Sequence, residues 1–266
     1  MRFEEFLSSH AVFAAEDLSR LRVGSPNRWT RKALLAHHRR RGHIILVRRG
    51  LYAAVPSGAS PDTFPVDPYL LAAKMAGDAI LAYHTALEVH GKGHSVFERF
   101  SYLTKSGAKP TSFRSYRFDP VRHPAALVAK RKEDAGVEVL ERAGIALKAT
   151  GLERTLVDVL DRPDRGGGWE EIWRSLESVE YFDLDNVVEY ALLLDNATTA
   201  AKVGYFLDQH RKELMVENIH LEPLKVRRPK RPHYMDRSRR GNGRLVTEWN
   251  LVVPIRVAER SWEERP

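Results

Sequence analysis

An α+β fold is predicted for this sequence on three observations. Short β-branched apolar runs are punctuated by Arg and Gly turns, as in "HIILVRRGLYAAVP" (43–56). Apolar residues recur at i, i+3 and i+4 through "LERTLVDVLDRP" (152–163), "WEEIWRSLESV" (169–179), "DLDNVVEYALLLD" (183–195) and "TTAAKVGYFLDQH" (198–210). Between the two patterns lies the Pro-, Ser- and Gly-rich "PSGASPDTFPVDP" (56–68), which reads as a linker. The boundaries expected from this are 1–58 for an N-terminal domain and 64–266 for a larger one. The larger one holds mixed strands and helices over 64–165, acidic helices over 166–222 and a basic segment over 223–266.

The N-terminal elements follow in order. Residues 3–8 form a short helical turn, and "VFAAEDLSRL" (12–21) a second helix with Val12, Phe13, Leu18 and Leu21 inward. Ser25 is a good N-cap, Pro26 suits the first helical position, and Gly42 suits the left-handed residue past the end. The helix between them spans roughly 24 Å. Trp29, Ala33 and Ala36 mark its apolar spacing. Ile44–Val47, the turn Arg48-Arg49-Gly50, and Leu51–Val55 then make a hairpin stopped by Pro56. Helix, helix and hairpin in this order are the layout of a winged helix-turn-helix. Past the linker, "DPYLLAAKMAGDAILAYHTALEVHG" (67–91) predicts two helices parted near Gly77. "RFSYLTK" and "SFRSYRF" predict strands, and "GVEVLERAGIALKAT" predicts two more turning at Arg142-Ala143-Gly144. Pro163 stops the helix before it, "DRGGG" is a break, and a strand is expected at 245–253. These elements make a mixed α/β domain with a helical C-terminal half.

The 266 residues are 43% hydrophobic and 29% charged, enough for a core and ordinary for a globular protein. Cysteine is absent, which excludes disulfides and thiolate metal sites. No apolar run approaches the roughly 20 residues a bilayer span needs. "MRFEEFLSSH" has two glutamates where an export signal wants positive charge, so a cytoplasmic protein without membrane partners is expected.

The formal charge of +8 is unevenly spread. Residues 1–56 carry 11 Lys/Arg against 4 Asp/Glu, and residues 223–266 carry 12 against 5, each a net +7. Residues 170–222 carry 4 against 12, a net −8. Two basic ends point to a polyanion, most simply double-stranded DNA. A winged helix reads DNA with the N-terminal part of its second helix in the major groove, its wing lying along the backbone. Asn27, Arg28, Thr30, Arg31 and Lys32 occupy that stretch, and Arg and Asn suit bidentate contacts to guanine and adenine edges. His38, Arg39 and Arg41 fall near phosphates at the helix end, and Arg48 and Arg49 at the wing tip. Such contacts make binding steeply salt-dependent. The alternative is a helix–hairpin unit with solvated arginines that contacts only proteins.

No catalytic constellation is present. His84 and Glu88 are spaced i, i+4, with His90 nearby in "YHTALEVHG", but a zinc hydrolase wants two histidines at that spacing with a Glu base between them. A restriction-type nuclease needs Glu-x-Lys after a metal-binding acid, and no Glu-x-Lys triplet occurs. "LEPLK" (221–225) has the wrong spacing, and Pro223 would disrupt such a strand. GxxxxGK[ST], GxGxxG and GxSxG are missing as well. The expectation is a non-enzyme without metal or cofactor.

The order "VFAAEDLSRL", "RRRGHIILVRRGLYAAVP", "DPYLLAAKMAGDAILAYHTALEVHG", "GIALKATGLERTLVDVL" resembles the AbiEi antitoxins of bacterial type IV (abortive infection) toxin–antitoxin systems. It covers residues 12 to about 160; beyond 166 the likeness is only of general layout. The resemblance implies a transcriptional autorepressor that binds inverted repeats in its own promoter through the winged helix. It also implies that the C-terminal domain counters a nucleotidyltransferase-like toxin, generally without a stable complex. Some relatives carry a nuclease, against which the missing Glu-x-Lys argues.

Lys225, Arg227, Arg228, Lys230, Arg231, Arg237, Arg239, Arg240 and Arg244 form either a second DNA-contacting surface or a solvated tail. The acidic helices would face a basic toxin or the chain's own basic ends. Two further readings stay open: a nucleic-acid-processing enzyme with an unrecognised acidic site in 170–222, and a winged-helix regulator with a ligand-sensing domain.

Overall fold

The computed structural model describes residues 3–20, 28–236 and 241–262, side chains at 20 and 28–30 excepted. The fold is α+β. It opens with helix α1 (Phe3–Ser9), strand β1 (Val12–Ala14) and a 3₁₀ turn (Ala15–Arg20). Helix α2 (Arg28–Arg40) and the hairpin β2 (Ile44–Arg48) and β3 (Leu51–Ala54) follow. Residues 12–20 are thus a strand and a 3₁₀ turn rather than the expected helix, while Leu21 and the expected cap at Ser25 and Pro26 lie outside the described residues. Val12 and Phe13 join a sheet of order β1-β3-β2, antiparallel throughout, pairing with Ala53 and Tyr52. Phe13 is fully buried there, beside Phe6, Leu18, Leu35 and Ile44. Pairing and burial outweigh the weak helical periodicity of this short stretch.

Next come α3 (Pro68–Ala73), β4 (Ile80–Leu81) and α4 (His84–Val89), then β5 (Arg99–Leu103), β6 (Thr111–Phe113), β7 (Tyr116–Val121) and α5 (Ala125–Lys130). β8 (Val137–Arg142) and β9 (Ile145–Thr150) complete a six-stranded sheet of order β6-β7-β5-β4-β9-β8. Where two helices were expected over 67–91, a strand intervenes. Both expected helices, α3 and α4, are present and parted around Gly77, and between them Asp78 ties the chain to the end of β5 by accepting from Thr104 Oγ1 (2.6 Å) and the Lys105 amide (2.7 Å). "SFRSYRF" is a two-residue hairpin, not one strand, and turns at Arg114 with φ +54. The Arg114 guanidinium donates to the carbonyls of Phe64 and Pro61, fixing the 56–68 segment. The turn expected at 142–144 is present, Ala143 and Gly144 both having positive φ.

The helical half comprises α6 (Leu152–Asp161), α7 (Trp169–Glu177), α8 (Leu184–Leu193), α9 (Ala197–Gln209) and α10 (Asn218–Arg227). A small sheet of order β10-β12-β11 closes it, from β10 (His233–Tyr234), β11 (Gly243–Val246) and β12 (Leu251–Pro254), before α11 (Ile255–Ala258). The strand expected at 245–253 is therefore a hairpin. α10 was not anticipated, because Pro223 sits inside it and removes one backbone bond. Burial of Leu221 and Leu224 holds the helix together despite the proline.

Chain contacts divide the molecule into two units. One is Met1–Ile80, Glu98–Pro120 and Val139–Lys148; the other is Leu81–Phe97, Val121–Glu138 and Ala149–Pro266. In the second unit the fully buried Arg154 donates to the carbonyls of Glu133 and Ala135 and pairs with Asp158, which also accepts from Tyr190 Oη (2.8 Å). Gly204 of α9 leaves no room for a Cβ, because the Trp249 ring lies on it. Among the described residues no helix is long and apolar enough to cross a membrane.

Candidate nucleic-acid interface

The face of α2 differs from the expected one. Ala33 and Ala36 are exposed, while Leu35 is buried and Arg31, Leu34 and His38 are half-buried. Two adjacent leucines make the core anchor, and the alanines lie on a solvent face with Lys32, His37, Arg39 and Arg40. The helix contains no acid. Its basic last turn complements the negative end of the helix dipole. Gly42 ends it as expected. At φ +74 it is followed by His43 N–H bonding the His38 carbonyl, while its own N–H bonds Arg39, the paired bonds of a Schellman cap.

The hairpin returns Arg49 to this helix. Gly50, at φ +85, makes the turn and leaves Arg49 exposed at the tip. A cleft of about 640 Å³ is then lined by Arg31, Lys32, Ala36 and Arg39 of α2, by Arg49 and Tyr52 of the hairpin, and by Ala15 and Glu16. Arg31, Lys32, Arg39 and Arg49 meet in one place despite a sequence separation of up to 18 positions. Tyr52 was not singled out from the sequence; its position opposite Phe13 in the register is what places it here.

Other expected site residues fall elsewhere. A register shift between Leu46 and Arg48 turns Arg48 away from the tip, and its guanidinium donates to the Met75 carbonyl at 2.5 Å. His38 faces α1, its ring 4.1 Å from that of Phe3 and its Nδ1 3.0 Å from His43 Nδ1. Burial, then the neighbouring His43 and His37, hold the His38 imidazole below its ordinary range. Arg41 is exposed just past the helix. Asn27 lies outside the described residues, and Arg28 and Thr30 occupy the first turn of α2 with their side chains undescribed.

The C-terminal cations are largely engaged within the fold. Lys225 pairs with Glu248 (2.6 Å) and Glu222 (3.5 Å) over the Trp249 ring; Arg227 pairs with Asp195 and Arg244 with Glu259. Arg228 donates to the Lys225 carbonyl (2.8 Å). Lys230 and Arg231 are exposed, and Arg237, Arg239 and Arg240 lie outside the described residues.

The His84–Glu88 pair belongs to a buried cluster in the second unit. His84 Nε2 is 2.9 Å from Glu171 Oε1, which also accepts from the Ser95 amide and Ser175 Oγ; Glu88 Oε1 accepts from the Phe97 amide. Burial lowers the His84 imidazole. It would raise the Glu171 carboxyl, but the bonds from Ser95 and His84 outweigh it and leave that group lowered. The cluster fixes the 93–97 segment. A cleft of about 770 Å³ elsewhere in this unit is lined by Asp161, Arg162, Trp169, Lys202, Tyr234 and Asp236. There Lys202 Nζ caps α6 by donating to the Leu160 and Asp161 carbonyls. Among the described residues no group of three His, Asp or Glu is placed to hold a metal ion.

No family model matches the chain, and no curated protein matches it in sequence. Among solved structures it is similar to the crystal structure of the Rv2827c protein from Mycobacterium tuberculosis. The TM-score is 0.63 at 20% identity, over 98% of this chain and 94% of that one. The two chains share a fold.

Proposed function

We propose that the first 55 residues form a winged helix-turn-helix that binds double-stranded DNA, with α2 in the major groove and the β2–β3 turn as the wing. One observation carries this reading: the cleft that gathers Arg31, Lys32 and Arg39 of α2 with Arg49 of the hairpin. The sheet order β1-β3-β2, with α1 and the 3₁₀ turn bracketing β1, supports it. The exposed Ala33 and Ala36 let the helix backbone approach a groove, where small side chains also meet thymine methyls. In this reading the chain is a non-enzymatic autorepressor of its own promoter and the antitoxin of a type IV system, working in the cytoplasm. The antitoxin half is supported by the AbiEi resemblance of residues 12 to about 160.

Two experiments test this. Titrating labelled duplex from its own upstream region should give saturable binding that weakens steeply with salt; no binding there sinks the repressor reading. Co-expression with a neighbouring nucleotidyltransferase-like gene should relieve toxicity, and failure to do so removes the antitoxin half alone.

A further inference from the structure

Beside the hairpin tip, within the first unit, a second cleft of about 490 Å³ is walled by Arg48 and Arg49 on one side and by Ile145–Lys148 of β9 on another, with Lys74 following α3. Small residues, Ala73, Ala76 and Gly77, also line it, and its buried lining is apolar, with Leu51, Leu70 and Leu147. Lys148 is exposed on a strand whose neighbour Leu147 is buried, so the pleat sends its ammonium outward. The bond to the Met75 carbonyl holds the Arg48 charge in the cleft wall. Two carboxylates oppose these four cations. Asp17 is occupied by the Ala14 amide (2.9 Å) and by Lys74 (3.9 Å), which leaves Glu16 at the edge. A cleft with four cations against two carboxylates carries net positive charge, which suits the backbone of a polyanion.

We infer that this cleft seats the DNA phosphate backbone where it runs past the wing, with Lys148 and Lys74 as phosphate contacts outside the winged helix. The inference rests on the DNA-binding reading above. Phosphate contacts position a protein without reading sequence. Each released counterion contributes about 0.9 to the salt slope, or about fivefold in affinity near 0.15 M salt.

The test measures binding of the full-length protein to its upstream duplex and to an unrelated duplex of equal length, over a salt series. Lys148→Ala should weaken both by about fivefold and lower the slope by about 0.9; with Lys74→Ala added, the loss should reach about 30-fold. Lys148→Arg should bind as the parent does, and thermal unfolding should show each variant folded. Unchanged affinity and slope in Lys148→Ala, while Arg49→Ala still weakens binding, overturns this inference and leaves the winged helix standing. Weakening on the upstream duplex alone also overturns it, since it would mean base reading. Failure of the parent protein to bind either duplex overturns the DNA reading, and this inference with it.

Discussion

Residues 1–56 and 223–266 carry the same net charge of +7, yet the fold treats them oppositely. In the first stretch, Lys32, Arg39, Arg40, Arg41 and Arg49 are exposed, and none takes part in an ion pair among the described residues. In the second, Lys225, Arg227 and Arg244 each close on a carboxylate, and Arg228 closes on a carbonyl. Formal charge along a chain therefore does not locate an interface. What matters is whether the acids that neutralise it lie elsewhere in the fold. Glu248 and Asp195 do so for the C-terminal segment; among the described residues no carboxylate closes in this way on Lys32, Arg39 or Arg40, although Glu16 lines the same cleft.

If the C-terminal segment is structural, removing its core anchor should be the costliest change. Trp249 is fully buried between Gly204 and Lys225. Trp249→Ala should lower stability by about 3–5 kcal/mol in urea denaturation. A loss below about 1 kcal/mol would mean the segment is an appended tail, and the contrast would fail. Next comes the other side of the comparison. Arg31→Ala, Arg39→Ala and Arg49→Ala together should leave stability within about 0.5 kcal/mol. Affinity for the upstream duplex should fall by about 150-fold if each contacts a phosphate. A stability loss with unchanged binding would invert the comparison.

Much of the fold was readable in the sequence where a local signal coincided with burial. Gly42, Gly50 and Gly144 have the positive φ their turns require, and α6 to α9 follow their apolar spacing. The failures share a cause. β1, α10 and the inward turn of Arg48 are set by partners distant in sequence: Ala53 and Tyr52, the neighbours of Leu221 and Leu224, and the Met75 carbonyl. No periodicity within ten residues encodes such partners. The candidate site was legible as residue types but not as an arrangement. Arg49 beside Arg39 needs the hairpin register, and Lys148 beside Arg48 needs β9 placed next to the wing.

A smaller effect sharpens the contrast. Lys225 is held charged by its bond to Glu248, its side chain only 18% exposed, so its folded pKa is raised. The stability it contributes is complete at neutral pH and lost only as pH rises through that raised value. Lys225→Met should therefore cost about 0.5–1 kcal/mol at pH 7, discounted for its position near the surface. Binding to the upstream duplex should stay within twofold. A binding loss matching that of Arg49→Ala would restore the second DNA surface to the C-terminal segment.

The smallest effect concerns His38, where the two roles compete within one residue. Its imidazole is lowered by burial and by His43 and His37, with Arg41 acting in the same direction and Glu4 against. A depressed histidine favours the neutral form in the fold. Its contribution is thus fully present above the unfolded value of about 6.5 and declines as pH falls through 6.5 toward the lowered one. His84 and Glu171, also lowered, act in the same direction in the other unit, so only the difference between parent and variant isolates His38. Between pH 7 and pH 5, His38→Gln should flatten the loss of stability by well under 1 kcal/mol. It should leave DNA affinity unchanged at pH 7.5, because the ring lies against Phe3 and shares a hydrogen bond with His43. A phosphate contact would behave in the opposite sense, with binding tightening as pH falls through 6.5 in the parent and not in the variant. That result would move His38 from the packing of α1 on α2 to the DNA face.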